Sequence, residues 1–180
     1  MGTFFRKSLK RFEIENQPRF LTFSCYRRLP LLDNNDIRDL FEVRLDAARQ
    51  QYGFRLHAWV LMPEHVHMIL TPSLPEHPVD IVLKSLKQSV GKRVITRWKN
   101  MKAPILQRMV TSKGRLRFWQ AGGGYDRNIR DEEEMLEKVS YIHANPVRRG
   151  LVDSPAGWKW SSARWYEGIR DGELIFDTWG

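Results

Sequence analysis

The chain predicts an α+β domain with a ferredoxin-like, split βαβ antiparallel sheet, helices on one face and a further tyrosine-bearing helix appended. Three observations predict it. Strand and helix periodicities alternate in the order strand, helix, strand, strand, helix, strand. The second and third strands are joined by only Met62-Pro63-Glu64, which makes them an antiparallel hairpin. Beyond the last strand, a glycine break is followed by an acidic helix start.

Arg19 to Tyr26, rich in Phe, Leu and Thr, reads as the first strand. Asn35-Asp36 caps a helix to about Gln51, with Leu40, Phe41, Val43, Leu45 and Ala48 on its apolar side, and Tyr52-Gly53 ends it. Phe54 to Leu61 and His65 to Thr71 are the hairpin strands, and Pro72 to Pro78 is a loop. From Val79 to Lys99, Val82, Leu83, Leu86, Val90, Val94 and Ile95 recur at helical spacing, with Gly91 as a weak point. Arg115 to Gln120 reads as the fourth strand. Gly122-Gly123-Gly124 then breaks the chain, and Asp131-Glu132-Glu133-Glu134 places acidic charge at the positive end of the last helix.

A length of 180 residues with 42% apolar content suits one domain, 1–180, with short extensions at both ends. A formal charge of +9 favours an anionic partner. No apolar run approaches the roughly 18 to 20 residues that span a bilayer, and Met1 to Lys7 lacks the apolar stretch of a signal peptide. A cytoplasmic protein without a membrane partner is therefore expected. The single cysteine, Cys25, rules out an internal disulfide or a cysteine-rich zinc cluster and fits a reducing compartment.

In the third strand side chains alternate, so His65 and His67 share one face while Val66, Met68 and Leu70 share the other. Their Cα atoms stand about 6.5 to 7 Å apart, a gap two imidazoles can bridge with one cation roughly 2.0 to 2.2 Å from each nitrogen. In the last helix Met135, Val139 and Ile142 form the apolar stripe, and Tyr141 lies off it. Glu134, Lys138, Tyr141 and Asn145 share another face, with Asn145 at the helix end because it precedes Pro146. Taken singly, a histidine pair or a helical tyrosine is more often structural; His57 and His143 read that way.

The segment Met62-Pro63-Glu64-His65-Val66-His67-Met68-Ile69-Leu70, together with Tyr141-Ile142-His143-Ala144-Asn145-Pro146-Val147-Arg148-Arg149-Gly150-Leu151-Val152, resembles the HUH single-tyrosine transposases, and among them the REP-associated tyrosine transposases. Phe118-Trp119-Gln120 and Trp160-Ser161-Ser162 add to the resemblance, which covers roughly 19–165. It implies that His65 and His67 are metal ligands, Asn145 the third ligand and Tyr141 the nucleophile. Glu64 stands where relatives often carry Asn, and its role is open between a carboxylate near the metal and a residue closing the hairpin. The triple glycine matches nothing in the family pattern.

A phenol with a pKa of about 10 is a poor nucleophile at neutral pH, and a cation that polarises the scissile phosphate is the complement it needs. The resemblance implies a 5′-phosphotyrosine and a free 3′-hydroxyl on single-stranded or hairpin DNA; the sequence leaves the oligomeric state open between monomer and homodimer. The implied cofactor is a divalent metal, magnesium or manganese, the latter better suited to imidazole. Between Asp80 and Asp126 there is no acidic residue. Lys84, Lys87, Lys92, Arg93, Arg97, Arg115 and Arg117 fall in that stretch, and with Arg148 they form the expected DNA-binding set, with Trp98, Phe118 and Trp119 as candidate base-stacking partners. The alternatives are a non-catalytic protein that keeps the fold and binds DNA hairpins, and a basic RNA-binding module that has no need of the metal pair.

Overall fold

Three apolar strands, β1 (Arg19–Ser24), β2 (Arg55–Leu61) and β3 (His65–Thr71), build the centre of the sheet, and a fourth, β4 (Tyr125–Asn128), completes it. The computed structural model describes residues 14–122, 124–169, 174, 176 and 177, so the amino-terminal Met1 to Lys7 and Gly123 lie outside the described residues. The strand order is β2-β3-β1-β4 and every pairing is antiparallel, the arrangement expected of a ferredoxin-like split βαβ unit. All seven residues of β3 are buried, which requires cover on both faces of the sheet.

That cover comes from two layers of helix. Helices α1 (Asn35–Tyr52) and α2 (Val79–Asn100) pack together on the face toward which Phe23 points: its ring lies 6.4 Å from that of Phe41 on α1, and the Lys87 ammonium of α2 sits 4.5 Å above it. Two short helices, α3 (Ile105–Arg108) and α5 (Ala163–Tyr166), lie in the connecting and C-terminal segments. Helix α4 (Glu132–Arg148) covers the opposite face, where Phe20 and His67 meet Tyr141. The helices therefore sandwich the sheet, with α4 as the second layer.

Local chemistry moves several boundaries. The α1 cap is Asn34, whose side chain accepts from Ile37 N, one residue before the expected pair. Asp131 caps α4 by accepting from Glu134 N at 2.8 Å. Helix α4 does not end near Asn145 but runs through Pro146 to Arg148. Only the missing proline N–H is lost, and bonds from Arg149 N to Asn145 O and Leu151 N to Pro146 O close the turn around it.

The fourth strand is also displaced. Arg115 to Gln120 is not a strand but a crossing segment, tied to the end of β1 by the bonds from Tyr26 N to Phe118 O and from Gln120 N to Ser24 O. Its aromatic pair faces inward: Phe118 and Trp119 are buried and pack on each other at 4.9 Å. Strand β4 has no apolar alternation to announce it. It is held by pairing with β1 and by Arg19, which donates to Asp126 Oδ1 at 2.9 Å from Nε and 2.7 Å from a terminal nitrogen. At the other edge of the sheet, Trp160 to Ser162 runs along β2, through bonds from Leu61 N to Trp160 O and from Ser162 N to Trp59 O. Both edges are thus either covered or short and polar.

Candidate active site

The β3 alternation turns His65 and His67 toward α4, and the β1–β3 register sets Thr22 opposite His67. The Thr22 hydroxyl is 2.7 Å from His67 Nδ1, and Glu64 Oε1, from the hairpin link, is 3.1 Å from His65 Nδ1. With both Nδ1 atoms engaged, the rings present Nε2 to each other at 3.0 Å, their planes crossing at 86°. Two nitrogens sharing one cation at about 2.1 Å each, at right angles, stand about 3.0 Å apart, so this donor pair fits a divalent ion.

Electrostatics favours the neutral imidazoles that metal binding requires. Burial pushes His67 down to about 3, with the charges of His65 and Arg28 acting the same way. Burial also lowers His65, against the opposing pull of Glu64. Burial raises the Glu64 carboxyl, but the hydrogen bond from Arg149 and the charges of His65 and Arg149 outweigh it and hold Glu64 below the usual carboxylate range. Among the described residues no cluster of three His, Cys, Asp or Glu side chains forms a cation site. A neutral amide oxygen is a further donor type that suits such an ion, and Asn145 carries one. Asn145 is buried one turn beyond Tyr141, its Nδ2 donating to Tyr141 O at 2.8 Å.

Tyr141 is 39% exposed, unlike the stripe formed by Met135, Val139 and Ile142, all buried. Its ring lies 5.4 Å from that of His67 and 6.0 Å from that of Phe20, with the Arg148 guanidinium 5.5 Å from its centroid. It borders an open pocket of about 310 Å³ lined by Phe20, Thr22, His67, Tyr125, Lys138 and Tyr141. Its volume stands at the lower end of small-ligand pockets, which begin at roughly 300 Å³.

The structure thus brings His65, His67 and Tyr141 together on one face of the sheet, with Arg148 over the Tyr141 ring and Asn145 one turn farther along α4. It does not gather the rest of the expected basic set there. Lys84, Lys92 and Arg93 are exposed on α2, across the sheet from Tyr141. Lys87 is half-buried over Phe23, and Arg97 pairs with Asp36 of α1 at 2.7 Å. Arg115 and Arg117 are exposed on the segment leading to Phe118. Phe118 and Trp119 are core residues, which removes them as stacking partners, and Trp98 is half-buried against Phe118 at 6.0 Å.

His57 and His143 make structural bonds, His57 Nε2 with Thr71 Oγ1 and His143 Nε2 with Ser162 Oγ, each at 2.8 Å. The residues that periodicity could not supply are Phe20, Thr22, Tyr125, Arg28 and Arg149. Only the strand register and the layer order bring them to the histidines.

The family model described as "Transposase IS200 like" matches residues 17–145, a span that contains the sheet, the histidine pair and most of α4. A REP-associated tyrosine transposase of Escherichia coli (strain K12) is 26% identical over 153 residues, covering 85% of this chain and 80% of the relative. A putative REP-associated tyrosine transposase of Haemophilus influenzae is 23% identical over 133 residues, covering 73% of this chain and 69% of the relative. Among solved structures, that of a REP-associated tyrosine transposase bound to a REP hairpin superposes with a TM-score of 0.66 at 20% identity, covering 100% of this chain and 92% of that one, a likeness of fold. The chain belongs to the IS200-like transposase family, with its similarity running to the REP-associated tyrosine transposases within it.

Proposed function

We propose that this transposase is a metal-dependent endonuclease and strand transferase for single-stranded DNA, acting on hairpin substrates and passing through a 5′-phosphotyrosine. The observation that carries the reading is the convergence of two neutral imidazoles, Nε2 to Nε2 at 3.0 Å, beside a half-exposed tyrosine whose ring is 5.4 Å from one of them. A divalent cation, magnesium or manganese, held by His65, His67 and the Asn145 amide, would polarise the scissile phosphate. The protein's own groups do the rest.

The Tyr141 oxygen forms the new bond to phosphorus and gives up its proton. The bond from phosphorus to the 3′-oxygen breaks, that oxygen leaves with the electron pair and takes a proton, and the 5′-phosphate stays on the tyrosine. Attack by another 3′-hydroxyl reverses the exchange and joins a strand, with no external energy source. Lys138, whose ammonium pairs with Glu137 at 2.8 Å, and Arg148 place positive charge at the pocket, where it would hold phosphate oxygens, and the packing of Tyr141 on Phe20 and His67 fixes the ring's approach. The hairpin in the solved relative's complex supports hairpin DNA as the substrate to try first.

The test is incubation of labelled hairpin DNA with the protein and Mn²⁺. Wild type yields a covalent protein–DNA adduct, and Tyr141→Phe yields none while binding the same DNA, because only the phenolic oxygen is removed. An undiminished adduct in Tyr141→Phe would place the nucleophile elsewhere. DNA binding without an adduct in wild type would reduce the chain to a hairpin-binding protein.

A further inference from the structure

We propose that Glu64 is a positioning residue that couples the imidazole pair to the tyrosine helix, one carboxylate oxygen serving both. Glu64 Oε1 lies 3.1 Å from His65 Nδ1 and 2.9 Å from an Arg149 guanidinium nitrogen, with an Arg28 nitrogen at 3.7 Å. The carboxylate is 9% exposed, while the Arg149 and Arg28 side chains are 51% and 65% exposed, so the acid is the fixed partner. Its backbone is fixed as well. Glu64 O accepts from Cys25 N at 2.8 Å, Pro63 O accepts from Leu32 N at 2.9 Å, and Met62 N donates to His65 O at 2.9 Å.

Two consequences follow from one oxygen. First, an acceptor at Nδ1 requires the proton to sit there, which leaves the His65 Nε2 lone pair directed at His67. Because the two nitrogens lie on opposite sides of the imidazole ring, a group bonded to Nδ1 is kept away from the Nε2 pair. Glu64 is therefore not a ligand to a cation held between the Nε2 atoms, and it orients one that is. Second, Arg149 is the C-terminal cap of α4, eight residues or about 12 Å along the helix from Tyr141. The charge-assisted bond from Arg149 to Glu64 anchors that end of the helix to the hairpin carrying the histidines.

This inference rests on the proposed metal and tyrosine chemistry for its purpose, but the tautomer and exchange arms of its test do not. Nitrogen-15 NMR of the histidine rings reads the His65 tautomer without metal, and amide hydrogen exchange reads the last turn of α4. Wild type and Glu64→Gln should both show the Nδ1–H form, since an amide oxygen still accepts, whereas Glu64→Ala should show a mixture. Glu64→Gln, which keeps the acceptor but removes its charge, should speed exchange in the last turn of α4 modestly, Arg149→Ala should speed it more, and combining them should add little to Arg149→Ala alone, because both act on the same bond. Titration with Mn²⁺ should show affinity about 10- to 100-fold weaker in Glu64→Ala, with most of it restored in Glu64→Gln.

A wild-type tautomer and wild-type Mn²⁺ affinity in Glu64→Ala would overturn the histidine half. If that variant does not fold, loss of the Nδ1–H form in Glu64→Gln overturns it instead. Unchanged exchange in Glu64→Gln and Arg149→Ala would overturn the helix half. Failure of wild type to bind Mn²⁺ would count against the proposed function alone and leave the tautomer and exchange results to decide the role of Glu64.

Discussion

Thr22 shows how a single hydroxyl decides what a histidine can do. It is the only polar side chain that meets His67 Nδ1 among the described hydrogen bonds, at 2.7 Å, and with Phe20 stacked 5.7 Å away it fixes the ring's rotation. Thr22→Val keeps the shape and β-branching while deleting the partner. Mn²⁺ affinity should fall about 10-fold or more, as expected for loss of a group that orients a ligand of the proposed cation, with stability lowered by about 1 to 3 kcal/mol for the unpaired buried nitrogen. Calorimetric titration and a denaturant melt measure the two separately; an unchanged affinity would mean that packing alone orients His67. His65→Ala together with His67→Ala should abolish Mn²⁺ binding, and excess chelator should reproduce in wild type the loss of cleavage. Strand alternation and helix phase are local properties, so the shared face of His65 and His67 and the place of Tyr141 off the apolar stripe are legible in the sequence, while the roles proposed for them and for Asn145 come from the family resemblance. Thr22 is not legible, since its role depends on a strand register that pairs it with a residue 45 positions away.

At the scale of elements, the hairpin and the three long helices follow from periodicity, while the displaced fourth strand does not. Arg115 to Gln120 has the apolar content of a strand, but its aromatic residues are drawn into the gap between β1 and α2, where Trp119 Nε1 donates to Lys87 O at 2.8 Å. Strand β4 is polar, and its position is specified by the Arg19–Asp126 pair and by Gly124. A Cβ at Gly124 would overlap the Thr22 carbonyl, and the residue holds a φ of +73°, so this glycine lets the chain pass against β1. Gly124→Ala should destabilise by several kcal/mol and weaken the pocket beside Thr22, whereas Gly122→Ala, which meets nothing within 4 Å, should suffer only from its φ of +94°.

Helix α4 carries a pH signature of its own. His143 is bonded to Ser162, which also contacts the Trp59 backbone, so the residue ties α4 to β2 and the C-terminal segment. Burial pushes His143 from its ordinary 6.5 down to about 4. Below pH about 6.5 the unfolded chain takes up a proton that the folded chain refuses, so stability declines as pH falls and levels off below about 4. The expected loss from this residue is about 2 kcal/mol between pH 7 and pH 5, and His57, lowered by burial in the same direction, adds to it. Denaturant melts of wild type and His143→Gln at the two pH values should show a smaller pH-dependent loss in the variant; equal losses would mean that His143 does not remain neutral in the folded state.

For the whole molecule, composition announced an anionic partner but not where it lies. The net charge of +9 is a sum, and the sheet divides it into two surfaces. On one, Lys84, Lys92 and Arg93 project from α2; on the other, Lys138 and Arg148 stand at the Tyr141 pocket. The sequence places both sets but not the sheet between them, because the side of the sheet on which α4 packs is a tertiary property. The two surfaces should behave differently when discharged. Changing Lys84, Lys87, Lys92 and Arg93 together to Gln should weaken binding to many single-stranded sequences alike and flatten the salt dependence, by about 0.7 in double-logarithmic slope for each phosphate no longer neutralised. Adduct formation at saturating DNA should persist in that variant, since none of these side chains lines the pocket. Changing Lys138 and Arg148 to Gln should act the other way, lowering the rate of adduct formation at saturating DNA more than it lowers affinity, because these cations would stand where the proposed phosphate transfer takes place. Titrations at several salt concentrations and single-turnover adduct assays on the two variants separate the effects. An unchanged slope in the α2 variant would show that the strand does not follow that helix, and a normal single-turnover rate in the Lys138 and Arg148 variant would place the reacting phosphate outside the pocket beside Tyr141.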